Sequence, residues 1–453
     1  MDTQKTMTNP LSKNPLWQRV QWVADPVSYM EQAAQEHPDL FTAQITGFNQ
    51  SLVFVNTPEG MQELLTNDRK TYAALGVWNR FLSPLLGDYS VIMLERDRHR
   101  KRRQLLMPPF HGDRMKAYGE LIMTLAQQVF DQLPLNQPFS ARDVMQSISL
   151  QVIMQSVFGV YEGDRYEQLK SQLTKLADSF RSPLASSMLF FTVLQQDWGA
   201  WSPWGKFVRE RQQMDDLIYA EIRDRRANPD PNRIDILSLL LSATDEAGQP
   251  MTDQELRDEL VTLMFAGHET TATAMSWALY WMYQRPEVQE KLLHELDNAD
   301  LSDSTGLFRL PYLTAICNET LRIHPVAMLT FPRVVQEPTK LIGHSLAPDT
   351  IVVGCMYLLH QREDLYPNPK EFRPERFLER QYSPYEFIPF GSGARRCIGE
   401  ALAQFEMKLV LATVLRRYKL ALADTQPEIP RRRGVTLAPA RGVKMVKTGT
   451  LES

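Results

Sequence analysis

From about residue 113 onward, apolar residues recur every three or four positions, which is the period of an amphipathic helix. Leu121, Leu125 and Val129 mark one such stripe. The same spacing predicts further helices at residues 141–158, 164–180, 204–226, 233–242 and 253–284. The last of these is the longest, and it follows Thr252, which with Glu255 in the first turn is typical of a helix N-terminus.

Runs of β-forming residues are short and lie elsewhere in the chain. Residues 41–45 and 51–56 flank a turn and predict a hairpin, with a helix following near Glu59. Beyond Pro325, β-rich runs at 340–342 and 351–354 alternate with loops, until a last helix at 398–418. No linker separates domains. The pattern predicts one mainly α domain with small sheets over residues 1–453, with the first 15 or so residues loosely ordered.

The composition narrows the class of protein only slightly. Hydrophobic residues make up 43% and charged residues 23% of the 453 positions, which is ordinary for a globular protein. A net charge of -4 gives no reason to expect a nucleic acid or an anionic membrane as partner. The three cysteines are widely spaced, which argues against a zinc site or a disulfide framework. Without a signal-peptide core or a run of 18 apolar residues, we expect a cytoplasmic protein with no transmembrane segment.

One cysteine lies in a glycine-rich string, FGSGARRCIG at residues 390–399. Its glycines allow tight turns and a close backbone approach to a flat group. Backbone amides of such a loop can donate to a thiolate, and the positive end of the following helix lowers a cysteine pKa. A glycine-rich turn around an inert cysteine is the alternative for Gly-x-Gly alone. The longer pattern Phe-x-x-Gly-x-Arg-x-Cys-x-Gly is far more specific.

This string resembles the haem-binding loop of the cytochrome P-450 family, with matches at Phe390, Gly393, Arg395, Cys397 and Gly399. The resemblance implies the P-450 fold, a large helical region with small sheets and a long central helix over haem b. It makes Cys397 the proximal iron ligand, a thiolate that donates electron density and favours O–O cleavage. The resemblance extends over roughly residues 25–445, with four motifs in the right order.

The middle of the longest predicted helix carries the string AGHETT at residues 266–271. Glycine costs a helix interior about 1 kcal/mol relative to alanine, and a threonine hydroxyl can bond the carbonyl one turn back. A packing notch with a solvent-facing Glu269 is the plain alternative. The string matches the family's oxygen-activation motif, which implies that Glu269 and Thr270 relay protons, with Ala266 beside the haem. His268 is expected to pack or hydrogen-bond and not to bind metal.

Two further motifs concern charged residues. Glu319 and Arg322 share a helix face and can pair, and such pairs are usually solvated. The resemblance implies instead a structural triad with Arg376 that fixes the cysteine loop and does no chemistry.

A basic run extends over residues 96–103, and a charge run is usually a solvated face. Here the resemblance implies that four side chains of the chain bind haem propionates: His99, Arg103, Arg333 and Arg395. His99 stands where many members carry Trp. The other basic side chains, at 98–102, would face outward on the cysteine side and suit an acidic electron donor, a ferredoxin or flavodoxin.

The resemblance also indicates which stretches contact the substrate: residues 72–89, 188–204, the helix face near 261–266, residues 326–331 and the turn 434–437. The residues singled out are mostly apolar: Trp78, Phe81, Leu85, Phe190, Val261, Phe265, Ala266, Val326, Met328, Leu329, Phe331 and Thr436. Any single one of them could equally be an ordinary core residue. Together they predict a hydrophobic substrate such as a fatty acid, a terpenoid or a steroid-like molecule. The sequence identifies no lone positive anchor for a carboxylate.

These motifs predict a haem-thiolate monooxygenase, expected to be a monomer, that inserts one atom of O2 into its substrate. The electrons come from a separate protein, because the chain has neither a Gly-x-Gly-x-x-Gly fingerprint nor a cysteine set for an iron–sulfur cluster. A haem-thiolate sensor would not need the Glu269–Thr270 pair, and peroxygenases typically lack it. A helical protein without haem would show no Soret band.

Overall fold

The computed structural model describes residues 14–451, apart from 46–47, 49, 69, 111–113, 160–162, 179–186, 190–194, 200, 231, 300–303 and 435. The helices in this part of the chain are α1 Pro15–Ala24, α2 Pro26–Glu36, α3 Pro58–Thr66, α4 Ser83–Leu86, α5 Arg96–Leu106, α6 Arg114–Asp131, α7 Ala141–Phe158, α8 Asp164–Asp178, α9 Pro203–Ala227, α10 Ile236–Ser242, α11 Asp253–Gln284, α12 Pro286–Asp297, α13 Ser304–Phe308, α14 Pro311–Ile323, α15 Met356–His360, α16 Arg376–Glu379 and α17 Glu400–Arg417.

The strands are short and belong to four small sheets: β1 Leu40–Ala43, β2 Leu52–Val55, β3 Tyr72–Ala73, β4 Pro138–Ser140, β5 Arg333–Val335, β6 Thr339–Leu341, β7 His344–Leu346, β8 Ile351–Gly354, β9 Tyr418–Leu422, β10 Pro430–Arg433, β11 Thr436–Pro439 and β12 Lys444–Thr450. The largest sheet has the order β1-β2-β8-β5-β3, in which only β2 and β8 run parallel. The others are β4-β12-β9 and the hairpins β6-β7 and β10-β11.

Helix α11 is the axis of the helical region. It begins with the predicted capping box, in which the Glu255 amide donates to the Thr252 hydroxyl at 3.2 Å and the Thr252 amide donates to the Glu255 carboxylate at 3.0 Å. The helix runs for 32 residues and is buried on most of its surface, with α7 packed along it. Because it is surrounded by protein, its apolar residues lie on all sides rather than on one stripe.

The core has one large helical part and two smaller parts on either face of the five-stranded sheet. The helical part includes Phe130, Phe158 and Trp277. Along β2 the side chains alternate, so that Phe54 packs on one face of the sheet and Val53 on the other. Both faces of this sheet are therefore buried, which explains why β2 and β8 read as continuous apolar runs.

The predicted hairpin and the helices at 141–158 and 253–284 are confirmed. The helix predicted at 233–242 begins later, at Ile236, because the Asp235 carboxylate caps it by accepting from the Ser238 amide at 2.9 Å. The last helix begins at Glu400 and not at Ile398, since the glycine-rich loop continues through Gly399. Among the described helices, none is both long and apolar enough to span a bilayer.

Candidate active site

The glycine-rich loop is fastened to the C-terminal end of α3. Gly393 has a φ of 69°, and a Cβ on it would lie 2.3 Å from Asp68 Oδ2 and 2.6 Å from the Leu65 carbonyl oxygen. No other residue fits there without displacing the backbone. The next amide, that of Ala394, donates to Asp68 Oδ2 at 2.6 Å. The loop is thus fixed in position by one glycine and one carboxylate.

Cys397 follows at the end of this loop, where its amide donates to the Phe390 carbonyl at 2.9 Å. Its side chain is accessible, yet enough protein surrounds it that burial raises the pKa of the thiol, against the opposing effect of the Gly399 amide. The Gly399 amide acts in the predicted direction, but burial has the larger effect on the pKa of this thiol. A bound metal ion reverses that order, because it displaces the proton of a coordinating thiol.

Two buried arginines lie near the cysteine loop. Arg395 donates to four backbone carbonyls, those of Val91 at 2.9 Å, Ala74 at 2.9 Å, Leu94 at 2.6 Å and Ile92 at 3.5 Å. Burial lowers its pKa to about 10, with Arg333 as the next largest cause. Arg333 donates to the Phe331 carbonyl at 2.6 Å and lies 3.5 Å from Asp68, while its buried Nε has no hydrogen-bond partner among the described residues. Positive charge thus exceeds negative charge around these two side chains.

Helix α5 contributes two more of the predicted propionate ligands. Arg103 donates to the Arg396 carbonyl at 2.5 Å, and burial lowers its pKa while the neighbouring Cys397 acts in the opposite direction. His99, four residues earlier on the same helix, is buried. The structure therefore brings Arg103, Arg333 and Arg395 into one positively charged region beside the cysteine loop, with His99 on the helix that carries Arg103.

The centre of α11 has an accessible face. Ala266 is exposed, and Thr270, one turn later, donates to its carbonyl at 2.6 Å. Between them, a Cβ on Gly267 would lie 2.8 Å from Ile153 Cδ1 of α7, so a larger residue at this position would force the Ile153 side chain to move. This helical turn therefore contains both the packing notch, at Gly267, and an accessible face, at Ala266 and Thr270.

Glu269 is held by an ion pair that the sequence did not reveal. Its carboxylate lies 2.6 Å from Arg142 Nη2, in the first turn of α7; the Arg142 side chain is 3% exposed and that of Glu269 is 29% exposed. His268 is buried, and its Nδ1 lies 2.9 Å from the Met264 carbonyl, so it hydrogen-bonds within the helix as expected. No local pattern marks Arg142, because the partner lies 127 residues away.

The Glu-x-x-Arg motif lies in the interior and not on the surface. The Glu319 carboxylate accepts from Arg322 at 2.7 and 2.8 Å, from Arg376 at 3.0 Å and from the Arg373 amide at 2.9 Å. Arg322 also donates to the His360 carbonyl at 2.8 Å. All three side chains of the triad are almost fully buried. This network ties α14 to the segment that leads into the cysteine loop.

The basic run on α5 differs from expectation at one position. Arg102 does not face outward: its side chain is 7% exposed and pairs with Glu259 at 2.8 Å and with Glu255 at 2.5 Å, both on α11. Arg98 and Arg100 are exposed. A helix with 3.6 residues per turn cannot present every residue of a continuous run to solvent, and Arg102 occupies the turn that meets α11.

The predicted substrate contacts are divided between core and partly accessible positions. Leu85, Val261, Val326, Met328 and Thr436 are buried, whereas Phe81, Phe265, Leu329 and Phe331 are half-buried. Phe190 and the side chain of Trp78 lie outside the described residues. Two of the predicted stretches do meet, since the Leu437 amide donates to the Val326 carbonyl at 2.9 Å and Ala327 bridges to Thr436. The Thr436 hydroxyl donates to the Arg433 carbonyl at 3.0 Å.

Comparison with known proteins agrees with this architecture. The family model for cytochrome P450 matches residues 9–445. A relative named cytochrome P450 135B1, from Mycobacterium tuberculosis, is 34% identical over 418 residues, covering 92% of this chain and 86% of its own. A relative named cytochrome P450 138, from Mycobacterium bovis, is 31% identical over 443 residues, covering 96% and 95%.

Solved structures share the fold. Retinoic acid-bound cyanobacterial CYP120A1 superposes with a TM-score of 0.82 at 23% identity, covering 94% of this chain and 95% of its own. The haem domain of cytochrome P450DA gives 0.83 at 22% identity, covering 98% and 97%. The chain belongs to the cytochrome P450 family. It is a haem-thiolate monooxygenase, an oxidoreductase that uses haem b and O2 and depends on a redox partner.

The residues of this chain fit haem b on three observations. The thiol of Cys397 is accessible despite its dense surroundings. Arg333 has a buried Nε without a partner, in a region where positive charge exceeds negative charge, which suits the two propionates of haem. A Cβ on Gly391 or Gly399 would meet nothing within 4 Å, so the loop leaves space beside the thiol.

Proposed function

We propose that this monooxygenase oxidises a hydrophobic substrate between the accessible face of α11 and the Cys397 loop, with Cys397 as iron ligand. The observation that carries the proposal is the exposed Ala266, with the partly exposed Glu269 and Thr270, in the middle of a helix that is otherwise mostly buried. One side of this turn packs against α7 at Gly267, and its accessible side suits a helix that borders a reaction site.

The proposed proton relay consists of Glu269 and Thr270. The bound haem supplies the iron at which O2 is bound and its O–O bond is cleaved. The Thr270 hydroxyl donates to the Ala266 carbonyl, which orients its oxygen as an acceptor toward the accessible side. Glu269 pairs with Arg142 and is partly exposed, so its carboxylate would connect Thr270 with solvent when it leaves the arginine.

The haem itself would be held by the positively charged region and by the loop. We assign the propionates to His99, Arg103, Arg333 and Arg395, of which the three arginines are supported by their common location beside Cys397. Phe390, Gly399 and Ala266 would line the two faces of the macrocycle. The Glu319–Arg322–Arg376 triad would act structurally, supported by its burial and by the segment that it fixes.

The proposed substrate is apolar and of the size of a fatty acid, a terpenoid or a steroid. Its contacts would include the half-buried Phe81, Phe265, Leu329 and Phe331. Phe265 and Leu329 pack against the apolar core, which supports their assignment. Leu85, Val261, Val326, Met328 and Thr436 would form the wall behind them. Such a lining positions a ligand by shape, with methionine adding adaptability.

A small acidic ferredoxin or flavodoxin is the proposed electron donor. Arg98 and Arg100 on α5 are exposed, and Arg396, which neighbours Cys397, is exposed as well. Positive side chains near the ligand would steer an acidic partner toward the iron. We further propose a single-domain monomer in a reducing, cytoplasmic compartment; the continuous family match over residues 9–445 and three free cysteines support this.

The optical spectrum of the reduced, carbon monoxide-bound protein tests the ligand assignment. Thiolate ligation moves the main absorption band to a distinctive long wavelength, and Cys397→His should move it back to the position of a His-ligated haem and abolish monooxygenation. Cys317→Ala, which removes a buried thiol on α14, should leave the spectrum unchanged. A long-wavelength band that persists in Cys397→His would mean that another residue binds the iron.

A further inference from the structure

The hairpin β10-β11 carries a half-buried arginine that has no partner. Arg432 makes no hydrogen bond and no ion pair within the part of the chain that the structure describes. Burial lowers the pKa of its guanidinium, and no neighbouring charge or hydrogen bond opposes that effect. A cation that is withdrawn from water without a partner is unfavourable for the fold. A half-buried arginine without a partner points to an anionic ligand that pairs with it.

The register of the hairpin shows where Arg432 stands. Arg432 lies directly opposite Leu437, and residues paired in this way project to the same face of a sheet. Leu437 is buried in the apolar cluster that includes Met328 and borders the half-buried Leu329. Arg432 therefore lies at the edge of the wall that we assign to the substrate.

The backbone of the same hairpin is anchored on both sides. The Leu437 amide donates to the Val326 carbonyl at 2.9 Å, and Trp277 of α11 donates to the Leu437 carbonyl at 3.4 Å. The hairpin is therefore wedged between α11 and the 326–329 stretch, so Arg432 projects from a fixed support and not from a free loop end.

The carboxylates closest in sequence are already engaged. Glu428 accepts from the Arg441 amide at 2.8 Å and from the Val443 amide at 3.0 Å. Asp424 pairs with the Arg441 guanidinium at 3.0 Å. Neither carboxylate bonds Arg432. No carboxylate in the described part of the chain neutralises this arginine, which leaves its positive charge for a ligand.

We propose that Arg432 binds the carboxylate of the substrate, so that the enzyme acts on an amphiphilic monocarboxylic acid whose apolar part lies along Met328 and Leu329. The inference rests on the proposed function and narrows its substrate class, since neutral terpenoids and steroids have no group for this arginine. The planar guanidinium suits a carboxylate because it can donate two parallel hydrogen bonds.

The test compares acid and alcohol probes of equal chain length. Haem-loaded wild type, Arg432→Gln and Arg432→Lys are titrated with dodecanoic acid and with 1-dodecanol by isothermal calorimetry at pH 7.5. Arg431→Gln is the matched control, because Arg431 precedes Arg432 on the strand, is exposed and projects to the other face. Equal haem content and equal circular dichroism are required of every variant.

Wild type should bind the acid more tightly than the alcohol. Arg432→Gln should weaken binding of the acid by about 10- to 100-fold, as expected for loss of a charge-assisted hydrogen bond, and leave the alcohol unchanged. Arg432→Lys should recover part of the affinity, and Arg431→Gln should behave as wild type.

The proposal is overturned if Arg432→Gln binds the acid as wild type does, or loses acid and alcohol equally. It is equally overturned if Arg431→Gln loses the acid as strongly, or if wild type binds no acid from octanoic to octadecanoic better than its alcohol. Failure of the proposed function is a separate result, since it appears as a reduced carbon monoxide spectrum without the thiolate band.

Discussion

At the scale of single residues, Glu269 and Thr270 are adjacent in sequence but held by different forces. Glu269 is fixed by an ion pair with another helix, whereas Thr270 is fixed by a hydrogen bond within its own helix. Substitutions at the two positions should therefore both perturb the proposed relay, but they should differ in their effect on the structure. Thr270 is the cleaner probe, because removing its hydroxyl strands no buried charge.

Thr270→Ala should keep haem and substrate binding while product formed per reducing equivalent falls, with the turnover rate reduced on the order of tenfold or more. The reason is that protons still reach the site but are no longer directed by the hydroxyl, so electrons end in peroxide or water. Coupled assays of NAD(P)H, product and peroxide measure this. Thr271→Ala is the control, because that buried threonine is the next residue along the helix. Wild-type coupling in Thr270→Ala would remove the relay role.

The sequence indicates candidate residues for this site where the chemistry and the local pattern coincide. Cys397 and Thr270 were identifiable because each lies in a short string with an unusual composition. Arg142 could not be identified from the sequence, because its partner lies 127 residues away. Arg432 could not be identified either, because it is distinguished only by having no partner among the described residues. The prediction that Arg102 faces outward was wrong. In a run of like charges, the sequence does not show which side chain the helix directs inward.

At the scale of elements, α14 and the segment around α16 are joined by the Glu319 network. Glu319→Ala and Arg322→Ala should each yield protein that fails to retain haem, because removing one partner strands a buried charge at a cost of about 3–5 kcal/mol. The haem-to-protein absorbance ratio after purification measures this.

Arg373→Ala is the matched control for these two variants. It removes an exposed arginine that pairs with Glu379, while its backbone amide still donates to Glu319. The control should retain haem. Normal haem content in Glu319→Ala or Arg322→Ala would show that the network does not support the cysteine loop.

The burial of Glu406 on α17, beside Ser149 of α7, makes the stability of the fold depend on pH. Burial raises the pKa of Glu406 to about 8, opposed only by Ser149, and one carboxylate oxygen has no hydrogen-bond partner. At pH values between the pKa of Glu406 in the unfolded chain and about 8, Glu406 holds a proton in the folded state that it has lost in the unfolded state. This contribution to stability is therefore complete at low pH and declines as pH rises, by up to about 1.4 kcal/mol per pH unit.

Glu406→Gln removes this titration, so its melting temperature relative to wild type should be higher at pH 8 than at pH 6. Thermal unfolding followed by circular dichroism at the two pH values measures the difference. A difference that is the same at both pH values, or smaller at pH 8, would contradict the raised pKa. The exposed Glu379→Gln serves as the control and should show no such change.

Helices and strands were predictable where the local sequence pattern alone determines the secondary structure. The helical period predicted α7 and α11 with the first and last residues that the structure shows. An uninterrupted amphipathic or apolar stretch of this length favours no other secondary structure. The two-residue strand β3 and the three-residue strand β5 escaped prediction, since their pairing depends on residues more than 260 positions apart in the chain. Strands of this length have too few residues to show a period.

At the scale of the whole molecule, charge on the cysteine side should govern the encounter with the electron donor. Replacing both Arg98 and Arg100 with Glu should slow reduction by an acidic ferredoxin at least about tenfold at low ionic strength, and leave substrate affinity unchanged. Arg102 is unsuitable for this purpose, because its substitution would break buried pairs with α11.

Stopped-flow reduction at increasing salt measures the effect, and wild type should slow with salt because screening weakens steering. Lys206→Glu, a charge reversal at an exposed lysine of α9, is the control and should not change the rate. Rates that are indifferent to both salt and the double substitution would place the docking surface elsewhere, for instance around Arg396.

Asp68 has a consequence for how the chain assembles. One carboxylate accepts from the Ala394 amide and pairs with Arg333, so segments separated by 326 and by 265 residues converge on a single side chain. Loop closure adds only about 0.6 kcal/mol for each doubling of length, so contacts between such distant segments cost little more than contacts between near ones. The loop that carries the thiol is therefore supported jointly by the segment that follows α3 and by the strand β5, both of which lie far from it along the chain.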